Sequence, residues 1–129
     1  MNSAHNSDVT RRLVGQQLTS VLVAIDCISL KFVKYPLSEK GEFSDSANVD
    51  IEEGYEAAGE WGALTIRKDN DLNGFRIGAI HLIALIGQCI EDVKPDKNGG
   101  LELYFDSNTS VRLLVSEQGF DSFDLTFKR

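Results

Sequence analysis

The side chains able to do chemistry are few and scattered. The chain of 129 residues has two histidines, His5 and His81, and two cysteines, Cys27 and Cys89. A serine or cysteine nucleophile needs a base within hydrogen-bond reach. His5 lies in the polar start "MNSAHNSDVTRR", and His81 lies in the apolar run "IGAIHLIALIG", where it reads as a packed or half-exposed helix residue. The cysteines have no CxxC or metal-ligand spacing and read as reduced thiols. The sequence holds no GxSxG, HExxH, P-loop or GxGxxG pattern. These residues predict no enzyme and no cofactor.

One segment approaches a metal site. "DNDLNGFRIGAI", from Asp69, places Asp69, Asp71, Asn73 and Gly74 at positions one, three, five and six of a calcium loop. Position twelve must close the loop with a bidentate carboxylate, and it is Ile80. The expectation is a polar linker over residues 68–77 turning at Asn73-Gly74, with no metal.

Charge is more informative. The formal net charge is −7, which argues against nucleic acid and favours a basic partner. Residues 39–60 contain Glu39, Glu42, Asp45, Asp50, Glu52, Glu53, Glu56 and Glu60 against Lys40 alone. The entire net charge therefore falls in this stretch, and the rest of the chain is balanced. Phe43, Tyr55 and Trp61, the only tryptophan, accompany it. Aromatics within an acidic surface suit a protein interface. The candidate partner-binding residues are Glu42, Asp45, Asp50, Glu52, Glu53, Tyr55, Glu56, Glu60 and Trp61. Trp61 also admits a core role by the repeat described next, and the stretch as a whole could be a solvated loop.

The elements that position these residues are written twice. "LVGQQLTSV" from Leu13 and "LIGQCIEDV" from Leu85 share Leu, a β-branched residue, Gly-Gln, an apolar residue and Val at the same places. Downstream, Leu30-Lys31-Phe32 matches Leu103-Tyr104-Phe105, and Val49-Asp50-Ile51 matches Val111-Arg112-Leu113. Trp61 falls opposite Phe123, and Leu64-Thr65-Ile66 opposite Leu125-Thr126-Phe127. This is an internal duplication, about 8–67 and 78–128, within a single domain spanning 1–129. Alternation at Val21, Val23 and Ile25, at Leu101, Leu103 and Phe105, and at Val111, Leu113 and Val115 marks strands with one buried face. Asn98-Gly99 and "FDSNTSV" read as tight turns. Each Gly-Gln reads as a helix stop, with Ser7 or Asp8 as the first helix's N-cap and glycine taking the left-handed turn into strand one. The fold class is mainly β: two four-strand antiparallel units with short helices, packed as a β-sandwich or partly closed barrel. The first unit carries about eleven extra residues between its second and third strands, inside the acidic stretch.

The N-terminus lacks the apolar core of a signal peptide, and the longest apolar run, Ile77–Gly87, is too short to span a bilayer. The expectation is a cytoplasmic protein without membrane contact.

The pattern L-[IV]-G-Q-x-[IL]-x-x-V, then L-x-[LF]-x-F, V-x-[IL] and W-x-x-L-T resembles small mostly-β bacterial immunity proteins of polymorphic toxin systems, contact-dependent growth inhibition among them. The likeness covers most of the chain through apolar spacing, at Leu85–Gln88, Leu101–Phe105 and Leu125–Phe127 above all, and transfers no site residues. It implies a cytoplasmic, non-enzymatic protein that binds the toxin domain of one cognate effector, often a basic nuclease, and blocks its active site. The other reading is a small-molecule-binding or regulatory β-domain with its ligand between the sheets.

Overall fold

The structure is a computed structural model and describes residues 11–34, 46–116 and 123–128. Among the described residues nine strands follow one another: β1 (Gln16–Val23), β2 (Ile28–Lys34), β3 (Ser46–Ile51), β4 (Gly54–Gly59), β5 (Gly62–Arg67), β6 (Ile90–Pro95), β7 (Leu101–Phe105), β8 (Ser110–Leu113) and β9 (Phe123–Lys128). Two short helices, α1 (Leu72–Ile77) and α2 (Ile80–Ile83), lie between β5 and β6. The strands form two antiparallel sheets, ordered β1-β2-β3-β9 and β5-β4-β8-β7-β6. They share one apolar core and do not close into a barrel.

The duplication is visible residue by residue. β1 pairs with β2 through Leu18–Phe32, a bulge, then Val21–Leu30 and Val23–Ile28. β6 pairs with β7 through Ile90–Phe105, a bulge at the same step, then Val93–Leu103 and Pro95–Leu101. Both Gly-Gln glycines are left-handed, Gly15 at φ +89° and Gly87 at φ +97°. Their N–H groups exchange partners: Gly15 donates to the Ile90 carbonyl and Gly87 to the Leu18 carbonyl, each at 2.8 Å. Gln17 and Cys89, equivalent residues, form an isolated antiparallel bridge between β1 and β6. Phe32 and Phe105, also equivalent, stack at 6.4 Å between ring centroids. Such mutual contacts between matching residues are what a local twofold produces.

The two halves are not the two sheets. Each half builds three strands of its own sheet and sends the next strand to the other. β9 pairs with β3, setting Leu125 against Val49 and Phe123 against Ile51. β4 pairs with β8, setting Ala57 against Val111 and Tyr55 against Leu113. Since Val49 and Ile51 match Val111 and Leu113, the counterpart of Phe123 is Tyr55. This corrects the alignment of Trp61 with Phe123. The extra strand explains the error: β4 and β5 form a hairpin where the second half has β9 alone. "GYEAAG" carries two glycines and two alanines, residues depleted in strands, so β4 has little propensity signal of its own.

Two further readings change. Val23, 38% exposed, and Ile25, past the end of β1, stand at an exposed hairpin tip rather than on a buried face, and Val115 lies past the end of β8. The linker over residues 68–77 contains α1, which begins where the Asp71 carboxylate accepts the Gly74 N–H at 2.9 Å. The two turns stand as read, with Gly99 at φ +94° and Asn108 at φ +62°. Ser7 and Asp8 lie outside the described residues.

A Cβ at Gly87 would meet nothing within 4 Å, and one at Gly15 only the Lys34 Cε at 3.9 Å. The cost of a side chain there is conformational rather than steric. Gly15→Ala and Gly87→Ala should each lower stability by about 1–2 kcal/mol in urea denaturation. Unchanged midpoints would show that the left-handed turns are dispensable.

Candidate functional site

Chain crossing divides the acidic stretch. Glu42 and Asp45 lie outside the described residues. Asp50 points from the outer face of the first sheet and accepts a hydrogen bond from Ser29 Oγ at 2.6 Å. The chain then passes to the second sheet through Glu52 and Glu53, and Glu56 emerges on that sheet's outer face. Glu53 Oε1 meets Arg67 Nη1 at 3.0 Å. Glu56 Oε1 meets Arg112 Nη2 at 3.1 Å, and Glu102 meets the same guanidinium at 3.2 Å. Thr65 also donates to Glu56 at 2.8 Å. Glu53 and Glu56 are thus compensated locally, whereas Glu52 and Glu60 are exposed and outside the ion pairs among the described residues. Sequence adjacency did not survive folding into two sheets.

The two aromatics, both candidate contacts for a partner, part company. Tyr55, read as a contact for a partner, is fully buried. Its ring packs on Phe75 at 5.7 Å, and its hydroxyl donates to the Phe75 carbonyl at 2.8 Å. It cannot touch a partner in the folded protein. A Cβ at Gly78 would come within 2.6 Å of the same hydroxyl, so glycine there lets the helical segment settle onto Tyr55. Trp61, for which a core role was open, sits in the β4–β5 turn and is 49% exposed. Its indole stacks on the His81 imidazole at 4.2 Å and 14°, joining the turn to α2.

Beside Trp61 the helical segment presents an apolar ridge. Hydrogen bonds run mainly from each N–H to the carbonyl three residues back: Ala79 to Arg76, His81 to Gly78, Leu82 to Ala79, Leu85 to Leu82, Ile86 to Ile83 and Gln88 to Leu85. Winding at three residues per turn eclipses every third side chain. Ala79, Leu82 and Leu85 form the buried row, and Ile77, Ile80, Ile83 and Ile86 form an exposed one, at 74%, 63%, 44% and 44%. The sequence reading missed these isoleucines. Their spacing of three was present in the run, but an uninterrupted apolar run does not show which face lacks a partner.

The remaining reactive groups are quiet. Cys27 and Cys89 are free and half-buried. Burial pushes both thiols up; Asp50, Glu52 and Asp26 add to this at Cys27 against a hydrogen bond to Ser29, and Asp106 adds to it at Cys89. A raised thiol holds little nucleophilic thiolate at neutral pH. No group of three His, Cys, Asp or Glu side chains comes together among the described residues. Gln16 is the fully buried polar residue among them, and its amide donates to the Arg12 carbonyl at 2.7 Å. No helix among them is long and apolar enough to cross a membrane.

Burial pushes the Tyr55 phenol up to about 12. The folded protein therefore holds a proton that the unfolded chain releases near pH 10, and stability should fall as pH rises from about 10 toward 12. Tyr55→Phe should cost about 1–2 kcal/mol at neutral pH and make that alkaline decline shallower. Tyr55→Ala should cost about 3–5 kcal/mol, whereas exposed Trp61→Ala should cost no more than about 1 kcal/mol. Urea denaturation across pH checks all three, and equal losses for the two alanine variants would contradict the assignment of core and surface.

No known protein family matches the chain, and neither does any curated protein or solved structure.

Proposed function

We propose that this protein is a non-catalytic inhibitor that binds a basic protein domain and covers its working surface, in the manner of an immunity protein against a toxin. The observation that carries the reading is the β4–β5 turn. The chain's only tryptophan stands half-exposed there, directly after the exposed and uncompensated Glu60. A large aromatic on the surface beside unpaired acidic charge is the composition of an interface hot spot facing a basic partner. The net charge of −7 would steer such a partner from a distance. A nuclease, whose groove is built to receive phosphates, is the kind of basic domain this charge suits.

Exposed and ion-paired acids should act differently. Glu52 and Glu60 carry free charge, so the double variant Glu52→Lys/Glu60→Lys should slow association by about tenfold at low salt. The difference should shrink as salt shortens the screening length toward 8 Å. Glu53→Gln and Glu56→Gln, which release Arg67 and Arg112, should change the rate far less.

The test looks immediately upstream of this gene for one encoding a large protein and uses that protein's C-terminal domain. Co-expression of the present chain should relieve that domain's toxicity, and the purified pair should bind with the salt dependence described. Absence of such a gene, undiminished toxicity or failure to bind overturns the reading.

A further inference from the structure

We infer that the isoleucine ridge Ile77–Ile80–Ile83–Ile86, with Trp61 at its flank, is the contact core for a basic protein that offers an apolar groove edged by lysine or arginine. The inference rests on the proposed function and assigns it a surface other than the acidic stretch that first suggested it.

The first argument is internal to the chain. The segment ending at Gly87 has a counterpart 72 residues earlier, ending at Gly15. Leu85 and Leu13 match and are both buried. Ile83 matches Arg11, which is helical and exposed. The same place in the same folded unit thus carries a cation in one copy and an exposed isoleucine in the other. The fold does not require an apolar residue there. Ile86 matches Val14, which is half-buried against the core, so the contrast rests on Ile83: an exposed isoleucine at a place where the other copy has a solvated arginine serves something other than packing.

The second argument is charge. From Ile77 through Ile90 the chain has no Asp, Glu, Lys or Arg. Interface cores are depleted of charge in this way, while their rims are polar. Acids stand around the ridge. Glu60 precedes Trp61. Asp71 caps α1, with Asp69 two residues before it. Asp106 meets Cys89 at the other end, its N–H donating to the Cys89 carbonyl at 3.2 Å. These four lie outside the ion pairs among the described residues. Of the nearby cations, Arg76 donates to Asn73 Oδ1 at 2.6 Å and Lys68 to the Asp26 carbonyl at 3.2 Å; both acceptors are neutral, so four acids face two cations and the rim stays net negative. An apolar centre with an acidic rim complements a basic partner. A second copy of the chain would set acidic rim against acidic rim between molecules of net charge −7, so like-charge repulsion disfavours that occupant.

The test measures binding kinetics of the full chain with the upstream-encoded domain, supported by sedimentation of the chain alone. Ile80→Asn/Ile83→Asn leaves charge unchanged and alters two exposed side chains, at 63% and 44%. It should keep the melting temperature within a few degrees, leave the association rate and its salt dependence intact, and weaken affinity by roughly 100-fold through faster dissociation. Ile25→Asn, at an isoleucine 74% exposed on the β1–β2 hairpin tip, should change neither rate. If the wild-type chain binds and the double variant binds equally tightly, the ridge is not the interface, although the proposed function stands. If the wild-type chain sediments as a dimer that the double variant dissolves, the occupant is a second copy and the inference falls. If the wild-type chain does not bind the domain, the proposed function and this surface fall together.

Discussion

The exchange of strands between halves is the constraint on which the rest of the structure depends. β4 completes the sheet that β6, β7 and β8 begin, and β9 completes the sheet that β1, β2 and β3 begin. Neither half can satisfy its third strand alone, because the hydrogen-bonding edge of β3 belongs to β9 and that of β8 to β4. An unpaired central edge would leave a row of backbone donors and acceptors without partners. Reciprocal bonds between Gly15 and Ile90 and between Gly87 and Leu18 fasten the same two halves where β1 meets β6. The repeated Gly-Gln motif is therefore more than a helix stop: it is the seam of the duplication.

The exchange also decides what each side chain near the site can do. Because β4 enters the second sheet at a position opposite Leu113, Tyr55 is carried into the core. There it receives the helical segment through the Phe75 carbonyl and the space left by Gly78. The hairpin that β4 makes with β5 places Trp61 at its turn, within stacking distance of His81. One buried tyrosine and one surface tryptophan thus bracket the helices from within and from outside. The row of isoleucines between them faces away from the core because Ala79, Leu82 and Leu85 already occupy it.

Charge and apolar surface act on different parts of binding. Surface ion pairs such as Glu56–Arg112 and Glu53–Arg67 contribute little to stability, but they remove acidic charge from the field that a partner feels. Glu60, Asp69, Asp71 and Asp106 flank the ridge along the chain, and none interrupts it. Such a margin can guide an approach without burying a charge that would have to be desolvated.

Sequence alone determined the local grammar. Apolar alternation marked Leu101, Leu103 and Phe105, and Val111 and Leu113, as inward-facing, since a strand turns successive side chains to opposite faces whatever surrounds it. Glycines at 15, 87 and 99 marked left-handed positions, because other residues are strained there. The duplication was legible from spacing, and with it the antiparallel β class. Which sheet a strand joins is decided by pairing between distant segments, and the sequence of "GYEAAG" says nothing about Leu113. The tertiary structure alone therefore sent Tyr55 inward and Trp61 outward, parted Asp50 from Glu56, and neutralised Glu53 and Glu56 with arginines 14 and 56 positions away. It alone also showed that one face of an apolar run stayed in solvent, because burial belongs to the assembled core and to no segment by itself.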